Sequence, residues 1–201
     1  FQEYFDRRQK NFSHKKSTMR FETPPGQQAQ LDWKEFIKFT LKSGEMIDVN
    51  IFVLIPAASR FRKYHLSLTR SQDVLFSFID DAFETFGGVP EELLTDNMKS
   101  VVLYRDSEGH PVWNHDYEAF MNTIGFDTKL CRPRHPFTKG AVERLVRFVK
   151  ENFLAGRVFG TITDLNYEAW KWCDNQNHRY HKAVDCIPHK RHSVSCMKNA
   201  S

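Results

Sequence analysis

The stretch QAQLDWKEFIKFTLKSGEMIDVNIFVLIP, Gln28 to Pro56, holds two different kinds of strand on either side of a turn. In its first part Leu31, Trp33, Ile37 and Phe39 stand among polar residues, the pattern of a strand with one wetter face. Ser43-Gly44 turns the chain, and Met46 to Ile55 is densely apolar and β-branched up to Pro56, as a central strand buried on both faces should be. Phe61 to Thr69 then alternates, with Arg62, Lys63 and His65 expected outward. Three strands joined by short turns read as an antiparallel meander.

Beyond the meander the period changes. Leu75, Phe78, Ile79, Ala82, Phe83 and Phe86 keep helical spacing over Gln72 to Phe86, and Gly87-Gly88 stops the helix. Pro90 to Thr95 is a short strand ending at Asp96, most simply parallel to the sheet after its crossover helix. Arg105 to Gly109 reads as a turn within the segment Val101 to Val112. Asn114 can cap a helix carrying Tyr117, Phe120, Met121 and Ile124 that closes at Gly125, and Phe126 to Cys131 is a last strand. Thr163 or Asp164 is expected to cap a final helix with Leu165, Ala169, Trp172, Cys173 and Tyr180 in register. The order β-β-β-α-β-α-β-α-α describes an α/β layer fold with a mixed five-stranded sheet flanked by helices.

The chain has 201 residues, which favours one domain with extensions. No run approaches the roughly 20 apolar residues of a membrane helix. The start at Phe1, without a signal-like segment, is expected of a fragment of a longer protein. Cys131, Cys173, Cys186 and Cys196 form no CxxC pair, so reduced thiols in a cytosolic protein are expected. His178, His181, His189 and His192 with the last two cysteines match no common zinc spacing. Residues 1–26 form an expected basic linker, 27–181 a core and 182–201 a C-terminal extension.

Net charge is +4, but its distribution is uneven. Residues 72–96 carry seven acids and no Lys or Arg, whereas 132–157 carry seven Lys or Arg against two Glu. One face is expected to meet a polyanion. The basic stretch becomes a helix in which Val142, Leu145, Val146, Val149 and Phe153 form an apolar stripe. Glu143, Arg147 and Lys150 form a second stripe, rotated by about 100°. Glu143 and Arg147 also suit an ordinary i,i+4 pair on a solvated face.

Three carboxylates stand out. Asp32 lies in mid-strand between Leu31 and Trp33, where a charge is costly unless paired, and Asp96 ends the fourth strand. If those strands are neighbours, both acids open at one edge, and Glu143 can complete a triangle. Hard divalent cations take oxygen ligands, and a pair of them can clamp both oxygens of a phosphoryl transfer. Trp33 and Trp113 could stack on exposed bases, but aromatics beside a buried acid favour the core.

The blocks Gln30 to Trp33, Thr95 to Lys99 and Pro136 to Glu143 resemble the three blocks of the DDE transposase and integrase catalytic core. Within it the chain is most similar to the IstA-type transposases of bacterial insertion sequences, over roughly Gln28 to Arg191. The resemblance implies a ribonuclease H-like fold with Asp32, Asp96 and Glu143 as catalytic residues and as ligands of two Mg²⁺ or Mn²⁺ ions. It implies cleavage at transposon ends, then strand transfer of the 3′-OH into target DNA. Asn97, Lys99, Lys139, Arg147 and Lys150 would contact DNA. Expected partners are transposon-end DNA, target DNA, further copies of the chain on paired ends and an AAA+ ATPase helper, in the bacterial cytoplasm at the nucleoid. The interval from Asp96 to Glu143 is longer than in retroviral integrases, and the family's N-terminal helix-turn-helix and later C-terminal domain have no counterpart among these residues. Two other readings are a ribonuclease H-like nuclease that does not join strands and a DNA-binding core without chemistry. Retention of all three acids argues against the last, since negative charge beside phosphates weakens a mere binder.

Overall fold

The computed structural model describes residues 23–131, 140–182 and 184–192, with the backbone alone for 35–36 and 140–143. The expected basic linker, apart from its last residues, the basic loop 132–139 and the end of the C-terminal extension lie outside the described residues.

The chain runs β1 (Gln28–Thr40), β2 (Met46–Pro56), β3 (Lys63–Ser67), α1 (Gln72–Phe86), β4 (Glu92–Thr95), β5 (Val102–Arg105), β6 (Pro111–Trp113), α2 (His115–Ile124), β7 (Asp127–Leu130), α3 (Gly140–Val149) and α4 (Ile162–Asn177). A π-helical turn, Lys150–Leu154, extends α3. Five strands form one sheet in the order β3-β2-β1-β4-β7. The first three are antiparallel, whereas β4 and β7 run parallel to β1. The mixed five-stranded sheet is therefore the one read from the sequence.

Both faces of the sheet are covered, which accounts for the unbroken apolar run in β2. Val49, Ile51, Val53 and Ile55 join Leu145, Val146 and Val149 of α3 and Leu165, Ala169 and Cys173 of α4 in one cluster. The alternate residues Phe52 and Leu54 join Ala29 and Leu31 of β1 with α1 and α2 in the other. Leu31 and Val49 are fully buried. Trp33 stacks on Phe52 with ring centroids 4.9 Å apart, and Trp113 packs against the same cluster, so both tryptophans are core-packed as favoured.

Local signals set most element ends. Ser71 accepts from the Val74 N–H at the start of α1, and Gly87 takes the left-handed conformation, φ 69°, at its end. Asn114 and Gly125 do the same for α2. At α4 the expected cap is corrected: Thr161 caps the helix, and Asp164 is the third helical residue of a reciprocal capping box. The helix ends at Asn177, so Tyr180 lies beyond it and hydrogen-bonds Asp185.

Two further differences concern the sheet. The Val101 to Val112 segment is a β-hairpin, β5 with β6, around the turn read from Arg105 to Gly109. Its Leu103 and Tyr104 are exposed, so no buried period marked the strands. Arg62, expected outward, is buried, and His65 sits among Phe52 and Phe78 on the α1 side. The burial of Arg62 follows from α4, which covers the outer edge of β3, and the place of His65 from alternation, since Tyr64 and Leu66 on either side of it face the α4 cluster. Asn166 pairs with both backbone groups of Leu66, at 3.0 and 2.7 Å, and Asn177 with both of Arg62, at 2.9 Å each. Cys173 also donates to the Arg62 carbonyl. The helix thus supplies by side chains the partners a sixth strand would give.

Residues 184–192 pack back on the core. His192 stacks on Phe61 at 4.8 Å, and its Nε2 lies 2.7 Å from the Phe86 carbonyl. Among the described residues, no helix is long and apolar enough to cross a membrane.

Candidate active site

The parallel pairing of β1 with β4 runs Gln28 with Glu92, Ala29 with Leu93 and Gln30 with Leu94. Two residues further along each strand stand Asp32 and Asp96, at the same level of the sheet. Neighbouring strands lie about 4.8 Å apart, so the two backbones are adjacent where the acids sit. β4 ends at Thr95, and β1 continues beside β2 alone. Asp96 thus stands just past the carboxyl end of β4, the usual place for ligands in open α/β sheets.

Alternation gives the face. Leu31 and Trp33 pack on the α1 and α2 side, so Asp32 belongs to the other, as does its cross-strand partner Val53. That is the face on which α3 rests, and Glu143 is the fourth residue of α3. Asp32 is half-buried and Asp96 exposed. The side chain of Glu143 lies outside the described residues, and Lys139 does so entirely. Among the described residues, no three His, Cys, Asp or Glu form a metal-holding group. Asp32 and Asp96 offer hard oxygen donors on rigid elements, with no thiolate or imidazole proposed among them, a donor chemistry that fits Mg²⁺ or Mn²⁺.

The chain after Asp96 is tied down. The Met98 N–H donates to the Asp96 carbonyl at 2.8 Å, and the Cys131 N–H to that of Thr95 at 2.8 Å. Asn97 donates from Nδ2 to the Cys131 carbonyl at 3.1 Å, and its Oδ1 accepts from Arg105 at 3.4 Å. The side chain expected to contact DNA thus joins β4 to the end of β7 and to the β5–β6 hairpin. Lys99 is exposed in the following turn, and Arg147 and Lys150 are exposed at the end of α3 and the start of the π turn. Sequence reading missed Arg105 as the partner of Asn97, because the hairpin that carries it was not read as strands.

The sheet order β3-β2-β1-β4-β7, with its antiparallel meander, parallel β4 and β7 and helices on both faces, is a ribonuclease H-like fold. The chain belongs to the integrase core domain family, which matches residues 22–136. It is 40% identical over 190 residues to the transposase for insertion sequence element IS232 of Bacillus thuringiensis subsp. berliner, covering 94% of this chain and 44% of that protein. It is 33% identical over 172 residues to the transposase for insertion sequence element IS21 of Pseudomonas aeruginosa, covering 84% and 43%. The chain thus spans less than half the length of these relatives. Among solved structures, the catalytic core domain of BIV integrase superposes with a TM-score of 0.60 at 13% identity, covering 88% of this chain and 99% of that one. The HTLV-2 integrase catalytic core domain in complex with magnesium gives 0.59 at 14%, covering 84% and 97%.

Proposed function

We propose that this chain is the catalytic core of a DNA transposase that cleaves phosphodiesters at transposon ends and joins the freed 3′-OH to target DNA. The observation that carries the reading is the parallel pairing of Gln30 with Leu94, each two residues before an acid, Asp32 or Asp96, with α3 packed on the sheet face to which Asp32 belongs. Family membership and the two transposase relatives support it.

Asp32, Asp96 and Glu143 would hold two divalent cations, Mg²⁺ or Mn²⁺, whose Lewis acidity polarises the phosphoryl group and eases loss of a proton from the attacking hydroxyl. The protein's part is positional. β1, β4 and α3 would carry the three carboxylates on elements set by folding, and the ties of Asn97 hold the Asp96 turn in place. In joining, a bond forms between the 3′ oxygen of the transposon end and a target phosphorus. The bond from that phosphorus to the target's own 3′ oxygen breaks, and the attacking hydroxyl's proton leaves as the departing oxygen gains one. Lys99, Lys139, Arg147 and Lys150 would hold phosphates beside the acids. Further copies on paired ends, an AAA+ ATPase helper and a place at the nucleoid of the bacterial cytoplasm complete the proposal by family similarity.

Mn²⁺ titration of the chain tests the triad. Saturable binding that weakens at least about tenfold in Asp32→Asn, Asp96→Asn and Glu143→Gln is expected, a loss of roughly 1.4 kcal/mol or more. Equal binding in all three variants would sink the triad. Joining assays on the full-length protein with a pre-cleaved end oligonucleotide separate the chemistries: hydrolysis without joined product would make it a nuclease.

A further inference from the structure

Between the end of β2, the approach to β3, the middle of α3 and the chain just beyond α4 lies a cavity of about 450 Å³. Arg60, Arg62, Arg144 and Arg179 line it together with His181 and the ring of Phe148, and among the described residues no Asp or Glu lines it. Arg62 is the built part of this site. It is 7% exposed, its Nε has no hydrogen-bond partner among the described residues, and its guanidinium lies 5.7 Å from the centroid of Phe148. Its backbone is held in both directions by Asn177. Among the described residues, Arg62, Arg144 and Arg179 have no carboxylate within ion-pair distance.

Four guanidinium groups around one cavity repel each other, and a buried cation without a counter-charge is costly. An anion with several oxygens relieves both, and the planar fork of arginine matches phosphate geometry. Position then narrows the choice of anion. Ile55, on the cavity wall, pairs with Gln30, while Asp32 pairs with Val53. The Ile55 wall of the cavity is thus one strand over and two residues along from Asp32, on the same sheet face. Arg144 also follows Glu143 directly on α3.

We propose that this arginine cavity seats a phosphodiester of the nucleic-acid strand leading to the acids, a contact separate from the exposed row of Arg147 and Lys150. It rests on the nucleic-acid reading given above. The test measures binding of the 201-residue chain to labelled duplex and single-stranded DNA across a salt series, with Arg144→Gln/Arg179→Gln as the variant. Both positions are exposed, so the fold should stand, and circular dichroism checks it. The expected result is an affinity at least about tenfold lower at low salt, with the slope of log affinity against log salt reduced by about 1 to 2. A second readout follows the Arg62 Nε–H resonance, which should shift with either DNA or inorganic phosphate in the unaltered chain and less in the variant. Unchanged affinity and slope would overturn the proposal. So would a resonance that answers to phosphate but not to DNA, which marks a small-anion site, or a variant that loses only self-association. Absence of DNA binding by the unaltered chain would instead overturn the nucleic-acid reading itself, and the strand assignment with it.

Discussion

Asn177 shows how a single buried side chain can fix both fold and site. It is 2% exposed, and it satisfies the N–H and C=O of Arg62 at once. Removing it leaves polar backbone groups buried at the sheet edge, although Cys173 still donates to the carbonyl. Each orphaned group costs about 1–3 kcal/mol, so Asn177→Ala should destabilise by about 2–4 kcal/mol. Urea denaturation should show a lower midpoint with an unchanged slope, and a midpoint within error of the parent would contradict this account. Cys173 beside it is inert for a related reason, since burial pushes its thiol up to about 12. Neither role was legible in the sequence. The spacing of Asn166, Cys173 and Asn177 puts them on one helical face, but nothing local says that a strand edge lies opposite.

At the scale of elements, legibility followed the physics of termini. α1 was read to the residue because Ser71 and Gly87 act locally, and β1 because its alternation is interrupted only by the irregularity between Lys34 and Ile37. The start of α4 was misplaced because Thr161, Thr163 and Asp164 are all competent caps, and the choice depends on the capping box that Thr161 and Asp164 close. The in-register acids were legible only on the condition that β1 and β4 are neighbours, a long-range pairing that no local pattern fixes. The capping box gives a further prediction. Thr161→Ala should cost about 1 kcal/mol. Gly160→Ala should be destabilising too, since its Cβ would stand 2.8 Å from the Asp164 Oδ2 that accepts from the Thr161 N–H. Because both changes break the same box, the double variant should cost less than their sum in a thermal-denaturation cycle. Strict additivity would show that the two residues act separately.

Across the whole molecule, two imidazoles packed on the α1 face of the sheet link the core and the C-terminal segment to pH. Burial pushes His65 below its ordinary value, with Lys63 assisting and Asp81 opposing. Burial does the same to His192, with His189 assisting and the Phe86 carbonyl opposing. In the neutral His192 ring, Nε2–H donates to that carbonyl, which leaves Nδ1 to accept from the Ser59 hydroxyl. Both histidines are therefore harder to protonate in the folded chain than in the unfolded one. Their contribution is fully present above the unfolded pKa of about 6.5 and is lost as pH falls below it towards the folded values, because the unfolded chain binds more protons there. Asp106, held low by the N–H groups of its own turn, titrates below this range and does not compete. The urea midpoint should consequently fall between pH 7.5 and 5.5, and His192→Phe, which keeps an aromatic ring over Phe61, should flatten that fall. A decline just as steep with both His65→Leu and His192→Phe in place would assign the pH dependence to other groups. The direction is decided by which state binds the proton, and here the stacking that holds residues 184–192 on the core is what keeps it off.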